Sequence, residues 1–473
     1  MASNEFKKGI FYSAIGKYSN VIIQLLVNMV LSRILSPADY GVVAIVQIFL
    51  AFFQLLADMG FGPAIIQNKE LNDRDISVIF KFSLYLAVVL GIVFVLLGWP
   101  VSLFYEDNVY IPVFAVLGIS VFFYSLIVVP KSLILKDKDF KSVNIVEILS
   151  GIAKGIVSIV LGLLGAKYYS IIIGGIVQAA ITFVVYYSWR RVPLRAKMSM
   201  EPIKKIFAFS RNQFAFNFIN YFSRNFDSIL IGRVFNSTQL AYYNKSYQIS
   251  LYPNQILAGV VTPVIQPIMS DYQNNKQIIK NTYLRITRIL ANIGVPLSVF
   301  CFFAGEEIIL FMFGNQWGSS VQSFEILAIS IWLQMIASST GAFYQSTNRT
   351  DLLLFSGIQS MILNVSAIAF GVYLGSIETV AGMVVVSFTI NFLVNNYLLM
   401  YKVFDSNYLE LAKELLKPFI IGMIQICVFF TIQALPFSNF INLLIKGIVF
   451  VVTFIIGLVV TGQLKEMMKV IKK

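Results

Sequence analysis

The chain has 473 residues, of which 58% are hydrophobic and 12% carry a charged side chain. An ordinary soluble domain has about 25% charged residues, so this composition excludes a soluble globular protein and predicts one embedded in a membrane. The formal net charge is +13, but the basic residues lie in short segments between apolar runs, where membrane proteins carry them, so we predict no nucleic-acid partner.

The same composition excludes several kinds of chemistry. The chain has no His, which rules out imidazole catalysis, and Cys301 and Cys427 lack the spacing of a disulfide framework or a metal site. No G-x-x-x-x-G-K-[ST] loop is present, so we expect no nucleotide hydrolysis. We therefore predict no catalytic residue, no cofactor and no metal site.

The apolar runs predict an all-α polytopic membrane protein. Runs such as ILSGIAKGIVSIVLGLLG are apolar on nearly every side, unlike the alternating strands of a membrane barrel. The first stretch has two lysines before an apolar run, as a signal peptide has, but no small-residue cleavage site follows, so we expect it to remain as the first span. With about 20 residues needed to cross a membrane, we predict about fourteen spans, at residues 10–32, 40–66, 77–103, 110–130, 143–165, 168–189, 206–231, 240–269, 286–304, 320–346, 351–374, 377–400, 417–435 and 441–462.

The charges in the loops predict the orientation of these spans. Loops on the side of the N-terminus hold most of the loop Lys and Arg, whereas the opposite side holds only Arg33, Lys167 and Arg233. Because cytoplasmic loops are rich in Lys and Arg, both termini are predicted to be cytoplasmic.

The two halves of the chain resemble each other. A shift of 200 residues lays LSRILSPADYG (31–41) over IGRVFNSTQLA (231–241) and superposes Arg33 on Arg233. The shift spans six predicted helices, so we expect two six-helix halves of equal orientation, residues 1–205 and 206–405, with the substrate path between them. The last two spans, in residues 406–473, lie outside the repeat.

The stretch 210–248 carries charges inside predicted spans. A Lys or Arg at bilayer depth costs about 2.5–3.5 kcal/mol on insertion scales, so these side chains are expected to face protein or water. We interpret the stretch as the wall of an internal polar cavity. The candidate residues there, joined by one from the first span, are Lys17, Arg211, Arg224, Asp227, Lys245, Tyr221 and Tyr247.

Three segments identify a family. LSRILSPADYGVVAIVQIF (31–49), LADMGFGPAIIQ (56–67) and NFDSILIGRVF (225–235) resemble the polysaccharide transport family, the flippases of lipid-linked oligosaccharides, within a superfamily that also holds multidrug exporters. The resemblance implies two six-helix bundles in a V around a cationic central cavity. It also implies alternating access that moves a polyprenyl-diphosphate-linked oligosaccharide to the outer leaflet of a bacterial cytoplasmic membrane for capsule, O-antigen, teichoic acid or exopolysaccharide assembly.

The expected partners follow from that resemblance. They are the lipid-linked oligosaccharide, the membrane lipids, and a polysaccharide polymerase with other assembly proteins. A diphosphate group requires a desolvated cationic surface with many donors, which Lys17 and Arg224 would supply first. Arg224 alternatively pairs with Asp227, one turn away. Tyr221 and Tyr247 either stack on sugar rings or pack in the protein.

Other charged residues have two interpretations each. Arg33 and Arg233, at outer span ends, either gate the outer mouth or extend to water. Asp39 belongs to that mouth or is the N-cap of the second span. Glu325 has no obvious partner and is our candidate for a coupling cation. Lys446 is expected at the membrane interface.

Two rival functions stay open. A membrane glycosyltransferase or polymerase requires a carboxylate pair in a sizeable outer loop, and the outer loops here are short. A cation-coupled multidrug exporter of the same superfamily is expected to have an anionic cavity; its branch has an acidic site in the first or seventh span, and here Asp227 has Arg224 beside it.

Overall fold

A computed structural model of the protein describes the backbone of residues 2–194, 196–270, 272, 275–432 and 436–464. Within these ranges, the side chains not described are those of residues 2–15, 17, 208–210, 212, 213, 215, 216, 219, 220, 223, 224, 257–264, 266–268, 270 and 350. The described chain is helical throughout apart from short connections, which confirms the predicted all-α fold class.

The chain divides into two compact units, Met1–Ala241 and Tyr242–Lys473. The first unit contains eight helices, α1 (Ala2–Ile34), α2 (Pro37–Asp58), α3 (Phe61–Gln67), α4 (Asp73–Tyr105), α5 (Tyr110–Lys136), α6 (Phe140–Leu163), α7 (Tyr169–Trp189) and α8 (Glu201–Val234). Helix α8 thus packs with the first unit, while the predicted division at residues 205/206, based on the repeat, stays a prediction.

The second unit contains most of α9 and all later helices. They are α9 (Ser237–Ser270), α10 (Lys276–Phe303), α11 (Gly305–Phe313), α12 (Val321–Ala328), α13 (Ile331–Ser346), α14 (Thr350–Tyr373), α15 (Ile377–Tyr397), α16 (Tyr408–Thr431) and α17 (Asn439–Val460). A 3₁₀ turn, Asn315–Ser320, precedes α12, and a π-helical turn, Leu398–Val403, continues α15.

Local sequence sets several helix ends. Ser36 is the N-cap of α2, with its side chain accepting from the Asp39 N–H while the Asp39 carboxylate accepts from the Ser36 N–H at 3.0 Å. The prediction of Asp39 as the N-cap is therefore wrong by one turn: Ser36 lies before Pro37, and Asp39 is the third residue of the helix and closes a capping box. Asn72 and Asp75 form the same arrangement at α4.

Two predicted spans are each built from more than one helix. Span 40–66 breaks between α2 and α3 at Met59 and Gly60, which both have positive φ angles. Span 320–346 bends by 54° between α12 and α13, where the Ile329 N–H bonds to the Ile326 carbonyl in a tighter turn. Positive φ is easy for Gly60 but uncommon for a residue such as Met59, so the break places one non-glycine residue in the left-handed region beside the glycine.

All fourteen predicted spans overlap helices, but this overlap does not establish how many helices cross a membrane. Among the described residues, ten helical segments are long and apolar enough to cross, or eleven if the bent pair is one span. The described part of α1 gives a shorter apolar helix, Tyr18–Ile34. The count of fourteen therefore stays a prediction.

The first unit is held together by close helix contacts. A Cβ at Gly98 of α4 would lie 2.9 Å from Phe114 of α5, and one at Gly118 would lie 2.7 Å from Val95, so small residues let these backbones approach. Stacked rings of Phe94 and Phe114, 4.6 Å apart, fill the same interface. These contacts give α2 and α8 a fixed scaffold on which to place their polar side chains.

In the second unit, polar pairs attach the two C-terminal helices to α10. Lys280 pairs with Glu410 at 2.9 Å, and Arg288 pairs with Glu414 at 3.0 Å. The Asn292 amide also donates to Gln463 at 2.7 Å in the buried interior. Helices α16 and α17, which lie outside the sequence repeat, thus pack as part of the second unit.

Candidate functional site

The residues predicted at the outer mouth lie at helix ends of the first unit. Arg233, in the last turn of α8, pairs with Glu106 after α4 at 2.9 Å, and its guanidinium carbon lies 5.5 Å from the Phe104 ring centroid. A cation is favoured at a helix C-terminus, which fits this position. The Asp39 carboxylate is used by the capping box, and Arg33 is exposed in the last turn of α1.

Tyr221 is bound to a neighbouring helix. Its hydroxyl donates to the Ile48 carbonyl of α2 at 2.6 Å. Its ring lies 5.3 Å from that of Phe52, which also contacts Phe218 and Phe222, both at 5.9 Å. These contacts give Tyr221 a packing role between α2 and α8; contact with a sugar stays a prediction.

Asp227 of α8 is a buried carboxylate, 8% exposed, that accepts a hydrogen bond from the Ser228 N–H at 2.7 Å. Arg211, on the same helix, is exposed. The side chains of Lys17 and Arg224 lie outside the described residues, so the predicted Arg224–Asp227 pair is untested.

Lys245 is buried, at 4% exposure, in the second unit. Its Nζ lies 4.6 Å from the Phe313 ring centroid and 5.2 Å from that of Trp317. An ammonium near the face of desolvated rings gains about 2 kcal/mol or more. The aromatic rings therefore help α9 carry a cation deep inside a helical unit.

The start of α9 is fixed by hydroxyl bonds to the turn that carries Trp317. Ser246 Oγ donates to the Ser320 carbonyl at 2.6 Å, and Ser320 Oγ donates to the Tyr242 carbonyl at 3.0 Å. Tyr247 stacks on Tyr243 with ring centroids 5.9 Å apart. Lys245 and Tyr247 belong to the second unit, and Arg211, Tyr221 and Asp227 belong to the first, so the predicted grouping of these residues in one cavity stays a prediction.

Two members of a polar group in the first unit, Lys131 and Asp58, were not among the predicted residues. Lys131 Nζ of α5 lies 2.7 Å from Glu147 Oε1 of α6, and Lys131 also acts electrostatically on Asp58 at the end of α2. Asp58 accepts from the N–H groups of Gly60 and Gly62 at 3.2 and 3.3 Å. The signal was present in the sequence, since Asp58 and Glu147 each interrupt an apolar run.

A second missed group lies in the second unit. Lys446 of α17 is 4% exposed and pairs with Glu307 of α11, a buried contact that was not predicted, while its interfacial position stays a prediction. Helix α17 packs along α11, which brings the ammonium to a buried carboxylate. Glu325 of α12 lies beside the same helix, next to Gly305.

Comparison with known proteins identifies the family to which the chain belongs. A family model described as "Polysaccharide biosynthesis protein" matches residues 30–322, which is more than half of the chain. The chain belongs to this polysaccharide biosynthesis family. The resemblance predicted from the sequence is confirmed at this level.

Curated relatives of this polysaccharide biosynthesis protein span most of its length. The teichuronic acid biosynthesis protein TuaB of Bacillus subtilis (strain 168) is 24% identical over 421 residues, covering 89% of this chain and 87% of TuaB. The succinoglycan biosynthesis transport protein ExoT of Rhizobium meliloti (strain 1021) is 19% identical, covering 78% of this chain and 75% of ExoT.

Solved structures share the fold. The lipid II flippase MurJ in an inward closed conformation matches with a TM-score of 0.74 at 15% identity, covering 95% of this chain and 98% of that one. An inward-facing multidrug resistance MATE family transporter of the MOP superfamily matches with a TM-score of 0.64 at 15% identity, covering 89% and 100%. At such identities the likeness shows the fold alone.

Proposed function

We propose that this protein is a flippase that moves a polyprenyl-diphosphate-linked oligosaccharide from the inner to the outer leaflet by alternating access. The membrane is the cytoplasmic membrane of a bacterium, with both termini in the cytoplasm. The substrate passes between residues 1–205 and 206–405, and residues 406–473 add two helices. The product supplies a polysaccharide polymerase and other assembly proteins.

One observation carries this proposal. A member of a polysaccharide biosynthesis family is built here from apolar helices whose connections are all short, the longest between described helices running over residues 190–200. None of these connections between described helices is large enough for a globular catalytic domain. A role in moving the glycan, rather than in making its bonds, is the function that this architecture supports. ExoT, a relative, is named as a transport protein.

The charge inside the helices fits an anionic cargo. The diphosphate of the substrate carries two or more negative charges, and Lys17, Arg211, Arg224 and Lys245 are the cations that we assign to its path. With the cytoplasm negative, moving two negative charges outward gains about 2 × 2.3 kcal/mol per 100 mV. Transport therefore needs no nucleotide.

The first test is genetic. In the source bacterium, deletion of the gene should abolish the surface glycan and leave lipid-linked repeat units in the inner leaflet, and the wild-type gene should restore export. A deletion strain with normal surface glycan and normal lipid-linked intermediates would contradict the proposal.

Arg224 and Asp227 give the test of the site. If Arg224 binds diphosphate, Arg224→Ala abolishes transport at normal protein levels, Arg224→Lys keeps part of it as a point charge, and Asp227→Ala is milder. If Arg224 only neutralises Asp227, each single change strands a buried charge and the double change restores transport. Surface glycan and membrane protein level are measured together, and full recovery in the double variant would move the site to Lys17 and Lys245.

A cation-coupled drug exporter is the second candidate, favoured by the buried carboxylate of Asp227 on α8. Under that hypothesis Asp227→Asn abolishes resistance to cationic dyes and leaves the surface glycan intact. Under the flippase proposal, expression of the protein causes no measurable change in dye resistance. Dye accumulation and surface glycan in the same deletion strain separate the two.

A further inference from the structure

Charged side chains gather in the second unit where the chain breaks between α10 and α11. Lys446 of α17 donates to the Phe303 carbonyl at 2.8 Å and pairs with Glu307 Oε1. Both side chains of this pair are nearly buried, at 4% and 8% exposure. The ammonium is thus held by the last turn of α10 and the first turn of α11.

Glu325 of α12 reaches the same break. A Cβ at Gly305 would lie 2.5 Å from Glu325 Cγ and 3.2 Å from its Oε1, so the absence of a side chain at Gly305 makes room for this carboxylate. The same break carries two carboxylates of α11, Glu306 and Glu307, and the Lys446 ammonium of α17. Glu306 is exposed, so water and salt screen its charge.

At this break the carboxylates of Glu307 and Glu325 and the one ammonium of Lys446 sum to one net negative charge. Glu307 contacts Lys446, Glu325 is half-buried beside Gly305, and Glu307 Oε2 is buried with no hydrogen-bond partner among the described residues. A carboxylate removed from water is costly unless it is paired and hydrogen-bonded. One bound cation would cancel the excess.

A proton is the cation that fits. The Lys446 ammonium already occupies the position beside the Glu307 carboxylate where a metal ion would bind. The described residues also hold no group of three or more acidic, His or Cys side chains placed to bind a metal. A proton needs only one carboxylate oxygen.

We propose that Glu325 is a proton-binding site coupled to transport, with Glu307 and Lys446 as its charge partners. A proton from the aqueous phase forms an O–H bond with one Glu325 oxygen, no other bond breaks, and Lys446 then balances Glu307 alone. Loss of the proton restores the negative charge of Glu325, which then competes with Glu307 for Lys446. Protonation therefore changes how α12 and α17 are held at the α10–α11 break. The coupling rests on the proposed flippase function, whereas proton binding does not.

Proton binding is tested on the purified full-length protein without any substrate. Difference infrared spectra between acidic and neutral buffer should show a protonated-carboxyl band that E325Q removes and the matched control E306Q keeps. A band that persists unchanged in E325Q overturns the site. So does a spectral change driven by Na⁺ at constant pH that E325Q abolishes, because it would make the ligand a metal ion.

Coupling is tested in proteoliposomes that contain the lipid-linked oligosaccharide and an internal pH dye. The wild type and E306Q should move protons as the glycolipid flips. E325Q should still flip the glycolipid down its concentration gradient, but its proton flux should fall to that of protein-free vesicles. Flipping by the wild type without proton flux overturns the coupling. If the wild type binds the proton but flips no glycolipid, the flippase proposal fails and the proton site stands.

Discussion

The buried Lys446–Glu307 pair allows a quantitative prediction. Lys446→Met leaves the Glu307 carboxylate buried without its ammonium, and Glu307→Gln leaves the ammonium without its carboxylate. Breaking one partner of a buried pair costs about 3–5 kcal/mol, whereas replacing both by neutral groups is often neutral. Each single change should thus lower the stability of the second unit severely, and the double change Lys446→Met/Glu307→Gln should recover most of it.

The chain supplies its own probe for this measurement. Cys301 is buried and Cys427 is exposed, so in a Cys427→Ser background a thiol-reactive dye reports unfolding through Cys301 alone. At about 2–4 °C per kcal/mol for a unit of this size, each single change should lower the thermal midpoint by about 6–20 °C. Lys276→Met is the control, because its pair with Asp405 is exposed and such pairs contribute about 0–1 kcal/mol. Equal or additive losses in the double variant would refute the buried-pair reasoning.

Three further predictions concern the first unit and the topology. Tyr221→Phe should lose about 1 kcal/mol of stability, since it gives up the hydrogen bond to Ile48 but keeps the Phe52 contact, and Tyr221→Ala should lose more; equal thermal midpoints for the two variants would contradict this. Arg233→Ala should change stability by less than about 1 kcal/mol because its pair with Glu106 is exposed, and a severe loss would show a role that the pair does not explain. With Cys301 and Cys427 replaced, a single Cys at position 199 should not react with an impermeant thiol reagent added outside, whereas a single Cys at position 376 should react. Labelling at position 199 from outside would contradict the predicted topology.

The sequence was sufficient for the helices because apolar runs of membrane length carry a strong signal. It was insufficient for the breaks inside them. The break at Met59 and Gly60 lies inside the segment Pro37–Gln67, which is apolar enough overall to be predicted as one span despite Asp58. The bend between α12 and α13 has the same character.

The charged contacts show a similar limit. Tyr221 was a candidate because many aromatic residues lie near it in the sequence. Its hydrogen bond to the Ile48 carbonyl was not predicted, because the two residues are far apart in the chain. Lys446 and Glu307 are also distant in sequence, so nothing local indicates that they meet. At α2, Ser36 and Asp39 are both good N-cap residues, and Pro37 at the first helical position was the available clue that the helix begins after Ser36.

The most direct measurement of the central claim is flipping by the purified wild-type protein. Proteoliposomes are loaded with the labelled lipid-linked oligosaccharide of the source bacterium, and exposure of the glycan to an impermeant enzyme is followed without ATP, with and without a membrane potential. We expect protein-dependent exposure of the glycan, and we expect a potential that favours outward movement of negative charge to accelerate it. Exposure equal to that of protein-free vesicles under every gradient, or exposure that strictly requires ATP, would contradict it.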